Sequence, residues 1–358
     1  MKQKNSQPGE SKLMNKKQVL FMLLFVLIAA MSVWAVMSQS QNFSLADFGQ
    51  YIQNASVPWL IAAIASMLGF IILEGLALQI LCRAFGYRCN FRQGFIYSAS
   101  DIYFSAITPS ASGGQPASAY FMMKDGIDGM MTAVILVVNL VMYTAAIIVI
   151  GLLCFVLRFD LFLQYSLPAQ ILIIVGSVMQ IGLLIFFYML LKKDRLLHKM
   201  CNGLLKLLFF LRILRNRNKW QTKLDKYMNQ YRQYSQLISG HRKTLFFCFL
   251  FNFFQRASQI AVTMFVYAAT TGRNFLESIE LWFWQGYVVL GSNCMPIPGA
   301  IGVSDYLMLD GFKNIMTESE AVNLELLSRS FSFYSCVIIC GIAVVAQYCA
   351  NKRRTKRA

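Results

Sequence analysis

"ITPSASGGQPASAY", residues 107–120, decides how this chain folds. The stretch is polar and rich in helix breakers, yet apolar "FIYSASDIYFSA" precedes it and "FMM" follows it. Pro109 ends a helix, Gly113 and Gly114 permit an abrupt turn, and Pro116 suits the first position of a new helix, where no amide hydrogen is needed. The stretch therefore reads as the tip between two half-helices. From Gly94 to Ile107 the leading arm has 14 residues, roughly 21 Å of helix against a hydrocarbon core of about 30 Å. Such an arm enters a bilayer without crossing it.

A bilayer is implied by the rest of the chain, which is 57% hydrophobic and 14% charged with a mean hydropathy of +0.52. Six apolar runs are long enough to span: 19–37, 58–81, 130–157, 168–191, 245–269 and 330–350. The first follows a basic tail but lacks a small-residue cleavage site, so it reads as a retained helix rather than a signal peptide. Two apolar but broken segments remain, 94–123 and 281–312. Lys and Arg set the orientation. Of 33 such residues, 28 lie in the tail 1–18, the loop 82–93, Lys124, the insert 192–243 and the tail 351–358. With these in the cytoplasm, the outer side keeps only Arg158, Arg273, Lys313 and Arg329, and Arg256 falls inside a span.

This assignment holds only if each broken segment enters and leaves on one side. The expected fold is an all-α polytopic membrane protein with six full spans and two re-entrant broken hairpins, arranged as two inverted repeats. Residues 19–157 form the first repeat and 168–350 the second, and the basic insert 192–243 interrupts the second. Both termini are cytoplasmic in the plasma membrane. Aligning "GGQPASAYFMM" with "GAIGVSDYLML" matches Gly113 with Gly299, Ser118 with Ser304, Tyr120 with Tyr306 and Met122 with Met308. Interrupted helices in inverted repeats commonly build a transporter's site near the midplane.

The insert carries fourteen basic and two acidic residues. Its "LLHKMCNGLLKLLFFLRIL" reads as a helix in the headgroup layer with basic residues toward anionic lipid, and a second, more polar helix follows. Nucleic-acid binding is the weaker reading of a +17 chain, because charge beside spans ordinarily serves topology and lipid contact. Nine cysteines without a CxxC pair, and two histidines, argue for packing rather than a metal site.

Ionisable groups inside spans point to function by default. Glu74, Asp101 and Arg256 are such groups; Glu74 and Arg256 hold comparable positions in the two repeats, either facing a shared cavity or paired only to fix helix packing. Asp305 is the one acidic residue in the second break, where Pro296, Pro298, Gly299 and Gly302 repeat the breaking device. The new helix start after Gly113 offers free amides, with Ser110, Ser112 and Gln115 beside it, to an anion such as a lipid phosphate. The alternative is a tightly packed hairpin whose polar groups satisfy one another.

"TPSASGGQP" and "PIPGAIGVSDY", with a basic insert between them, resemble the flippase-like membrane domain of the lysylphosphatidylglycerol synthase family over nearly the whole chain. In bifunctional members, the multiple peptide resistance factors, a soluble domain transfers lysine from lysyl-tRNA to phosphatidylglycerol, and the membrane domain moves the product outward against cationic antimicrobial peptides. Many relatives carry Glu where this chain has Asp305. The chain is expected to lack the soluble transferase domain, although the family name implies a phosphatidylglycerol lysyltransferase. The resemblance thus implies a translocase for an anionic or aminoacylated phospholipid, with lipid-binding residues and no catalytic residue, cofactor or metal. A membrane-embedded transferase and a subunit docking a separately encoded synthase remain as alternatives. Anionic phospholipids are the expected partners, tRNA is disfavoured, and a homo-oligomer stays open.

Overall fold

The computed structural model describes residues 45–108, 113–210, 217–237, 240–271, 275–295, 297, 300 and 302–355. The expected first span 19–37 and the tail 1–18 lie outside the described residues, as does 356–358. Among the described residues there is no strand, and five helices are long and apolar enough to cross a membrane.

A short helix, Leu45–Gln53 (α1), leads into Val57–Ala84 (α2), whose first turn holds Pro58. Phe91–Ile107 (α3) and Gly114–Lys124 (α4) flank the opening stretch. They form a hairpin, because Gln93 Nε2 and Tyr97 OH at the start of α3 donate to Asp125 Oδ2 just past α4, at 3.1 and 2.7 Å. Gly129–Leu157 (α5) then crosses; its first amides, at Met130 and Met131, donate to the Asp128 carboxylate at 3.0 and 3.3 Å, the usual device for helix-start donors. Phe159–Gln164 (α6) is a short turn on the far side before Leu167–Lys192 (α7) returns.

The basic insert forms two helices, Asp194–Phe210 (α8) and Arg217–Leu237 (α9), and α9 packs on α5. Arg242–Thr271 (α10) crosses next and makes its most extensive contact with α2. Phe275–Ser292 (α11) and Val303–Phe312 (α12) form the second hairpin. At its base Trp284 packs beside Gly311, and Ser166 N donates to Asp310 Oδ2 at 2.9 Å. The last crossing joins Glu318–Arg329 (α13), a π-helical turn at Ser330–Ser335 and Cys336–Thr355 (α14).

Contacts at the two faces show that the hairpins are opposed. On one face the end of α2, the base of the first hairpin, α8, α9 and the end of α14 gather: Asp128 N donates to Tyr87 OH at 3.4 Å and Arg92 to Gln347 at 3.1 Å. On the other, Ser56 N donates to Ala269 O at 2.7 Å, Trp59 stacks on Phe275, and Arg158 pairs with Asp160 and Glu280. The first hairpin opens on the basic face and the second on its opposite.

Three expectations are corrected. The last helix begins at Glu318 rather than 330, so Arg329 is not an outer-loop charge but a buried one. Thr317 and Glu320 cap its start reciprocally, which offsets the low hydropathy of the first turn. The second hairpin's first arm begins at Phe275 rather than 281. Pro116 is the third residue of α4 rather than the first, still within the turn whose amides lack helical acceptors.

Helices α2 and α3 touch backbone to backbone. A Cβ on Gly94 would stand 2.5 Å from Gly75 O, whereas Gly182 on the lipid-facing α7 has open space. Gly94→Val is expected to cost about 1–3 kcal/mol by overpacking, read as a lower melting temperature in detergent. Gly182→Val should melt like the wild type. Equal melting of both variants would contradict the close approach.

Candidate functional site

Residues beside the two breaks, among them Gln115, Ile297 and Ala300, and the crossing helices line a cavity of about 450 Å³. Glu74 on α2 and Asp101 on α3 line one side. Glu74 Oε2 accepts from Ser98 Oγ at 3.1 Å and Gln255 Nε2 at 3.3 Å. Asp101 accepts from Ser105 Oγ at 3.2 Å and Gln115 Nε2 at 2.8 Å.

Arg256, on α10, is 7% exposed and lines the same cavity. It does not form an ion pair with any described carboxylate. Its guanidinium lies 4.7 Å from the centre of the Tyr143 ring, Nη1 donates to Gln259 Oε1, and the buried Nε has no partner. Ring faces stabilise a desolvated cation, but an N–H left unpaired in a low-dielectric interior is costly. Such a group is poised for an anion. Neutral polar groups complete the lining: Asn139 accepts from Asn252 at 3.0 Å, and Tyr143 OH donates to Asn293, which donates to Gln180 at 3.3 Å.

The second repeat carries a matching cluster in a closed arrangement. Arg329 donates to Glu325 Oε1 at 3.3 Å and also to Asp305 Oδ1 and Ser304 Oγ. Asp305 Oδ2 accepts from Gly302 N at 2.9 Å, which caps α12, and Gly302 takes the left-handed φ of +86°, a conformation glycine adopts freely.

Of the residues singled out from sequence, Glu74, Asp101, Gln115 and Arg256 meet in the cavity. Gly113 and Gly114 start the return helix α4 with ordinary helical backbone, and Gly113 N donates to Thr108 Oγ1 at 2.9 Å. A Cβ on Gly114 would overlap Asp101 and Ser105, so the α4 start faces a carboxylate already. Gln115 is likewise engaged with Asp101, and Pro116, Gly302 and Asp305 do not line the cavity. Ser110, Ser112, Pro298 and Gly299 lie outside the described residues, as do Pro109 and Pro296. Glu325 and Arg329 were missed, as were the neutral lining groups. The Thr317–Glu320 capping pattern was the available signal that a helix begins early enough to bury Glu325 and Arg329.

Five helices long and apolar enough to cross a membrane, with opposed broken hairpins between them, define a polytopic membrane protein, and a cavity with both polar and apolar lining lies beside the breaks. The sequence matches the family described as "Lysylphosphatidylglycerol synthase TM region" over residues 21–340. The chain belongs to this family, and is thus a membrane protein of lysylphosphatidylglycerol biology. A search of the curated proteins finds no match.

The two arginines should differ in what they hold together. Arg329→Ala leaves Asp305 and Glu325 buried without their cation and should cost about 3–5 kcal/mol. Arg256→Ala removes ring contacts and should cost no more than about 2 kcal/mol. Unfolding of both variants in one detergent checks this; equal losses would contradict the division.

Proposed function

We propose that this protein is a lipid translocase that moves an anionic or aminoacylated phospholipid, such as lysylphosphatidylglycerol, between leaflets of the plasma membrane. Resistance to cationic antimicrobial peptides follows, because an outer leaflet enriched in lysyl headgroups repels them. The observation that carries the reading is Arg256: a buried guanidinium with an unpaired N–H, on the wall of a cavity that also holds a carboxyl pair. A phosphate suits Arg256, and an ammonium suits Glu74 and Asp101. The cavity volume lies within the usual range for small ligands, about 300–1,000 Å³, so a headgroup fits while its acyl chains stay in lipid.

The excess of Lys and Arg makes the basic face cytoplasmic, with both termini there. Helices α8 and α9 then lie against anionic lipid of the inner leaflet, and a separately encoded synthase would approach from that side.

Proteoliposomes carrying lysylphosphatidylglycerol in one leaflet, probed with a membrane-impermeant amine reagent, test the reading. The protein should accelerate transfer, and Arg256→Ala should slow it at least about tenfold, the effect of 1.4 kcal/mol. Wild-type vesicles no faster than protein-free ones would overturn the proposal, as would full activity in Arg256→Ala.

A further inference from the structure

Among the described residues, three buried side-chain atoms on the cavity wall have no hydrogen-bond partner: Arg256 Nε and Gln255 Oε1 on α10, and Gln285 Oε1 on α11. One is a donor and two are acceptors. Other polar groups of the wall are engaged. Arg329 is held by Asp305, Glu325 and Ser304, Gln259 by Arg256, and Gln180 by Asn293 and Cys294. Glu74 and Asp101 accept from neutral donors on α3, α4 and α10. Native interiors leave few buried polar atoms unmet, and each of those calls for an explanation.

Gln255 is 1% exposed, and its amide orientation is set: Nε2 donates to Glu74 Oε2 at 3.3 Å, so Oε1 is the atom left over. Gln255 adjoins Arg256 in the chain and touches Glu74 through its amide, so a ligand that reaches both charges passes this acceptor. A phosphate brings acceptors only, which suits Arg256 Nε and neither glutamine oxygen. An ammonium finds Glu74 and Asp101 on the same wall, where charge-assisted bonds are roughly twice as strong as neutral ones. The two amide oxygens are therefore left for neutral O–H donors, which a hydroxyl supplies one at a time.

The geometry points to a hydroxyl subsite: Gln255 Oε1 and Gln285 Oε1 accept from free hydroxyls of a polyol phosphate headgroup whose phosphate lies on Arg256. The inference rests on the headgroup reading of the cavity above and names the feature by which that site selects. A glycerol or sugar-alcohol headgroup meets both amides. A headgroup that keeps one hydroxyl after aminoacylation meets one of them, while its ammonium goes to the carboxylates. A phosphate ester without hydroxyls leaves both acceptors buried and unmet, which is costly. Sites built to hydrogen-bond a hydroxyl reject an analogue lacking it for this reason.

Calorimetric titration of the full chain in detergent tests this with two short-chain probes. Dioctanoyl phosphatidylglycerol carries headgroup hydroxyls; dioctanoyl phosphatidylpropanol has the same charge and chains but no hydroxyl. Phosphatidylglycerol should bind at least about tenfold more tightly. Gln255→Met and Gln285→Met, which keep side-chain length without an amide, should each cut that preference to about threefold. A purely structural role would weaken both lipids alike and leave their ratio unchanged. Equal affinities in the wild type, or the full preference kept in both variants, overturn the subsite and leave the translocase reading standing. Soluble glycerol phosphate binding as tightly as the lipid keeps the subsite and overturns a lipid as its ligand. Binding of neither lipid overturns both the subsite and the headgroup site on which the translocase reading depends.

Discussion

A helix that stops inside a bilayer leaves amides and carbonyls that lipid cannot satisfy, and the rest of this structure follows from how those ends are met. At the start of α4 the Asp101 carboxylate, from the facing arm, lies against Gly114. At the start of α12 the Asp305 carboxylate takes the Gly302 amide. Each return helix therefore has an acid at its positive end, where a negative charge is most favourable. Those acids then need partners, which is why Gln115 is held on Asp101 and Arg329 on Asp305. Breaking the helices thus pulls a polar network into the centre of an otherwise apolar bundle.

The architecture was legible because it depends on quantities that a sequence displays. The charge count fixed which loops share a face, and Pro109, Gly113 and Gly114 marked the first break. A re-entrant first segment keeps the insert 192–243 with the other basic loops, a re-entrant second one keeps the tail 351–358 with them, and contacts such as Tyr97 to Asp125 and Ser166 to Asp310 agree. The site was legible where a charge sits alone in an apolar run, as with Glu74, Asp101 and Arg256. It was obscured where charges cluster: Glu318, Glu320, Glu325 and Arg329 lower local hydropathy so far that the turns holding them read as a loop. Gln180, Asn139 and Asn293 carry no sequence mark, since a neutral amide inside a span gains meaning only from what it faces.

The two repeats use similar groups to different ends. In the second, Arg329 donates to both Asp305 and Glu325, so the cation is taken up by its own neighbours. In the cavity wall shared by both repeats, Arg256 of the second is kept on an aromatic face while Glu74 and Asp101 of the first turn to neutral donors. Burying charges in either way brings no stability that apolar residues of similar volume would not match. The second cluster ties the start of α12 to α13, and its Ser304 and Arg329 also line the cavity.

The first cluster keeps cation and anion apart, which follows from packing. Tyr143 on α5 and Gln259 on α10 hold the guanidinium, whereas Ser98, Ser105 and Gln115 draw the carboxyls toward the first hairpin. A phosphate and an ammonium on one headgroup are separated in the same manner, by a covalent spacer that prevents their collapse onto each other. A site that recognises both must hold its own two signs apart for the same reason, and it can do so only if other parts of the fold restrain each of them. The asymmetry between Arg256 and Arg329 is therefore one of partners: among the described residues the first has no carboxylate within ion-pair distance, whereas the second is held by two.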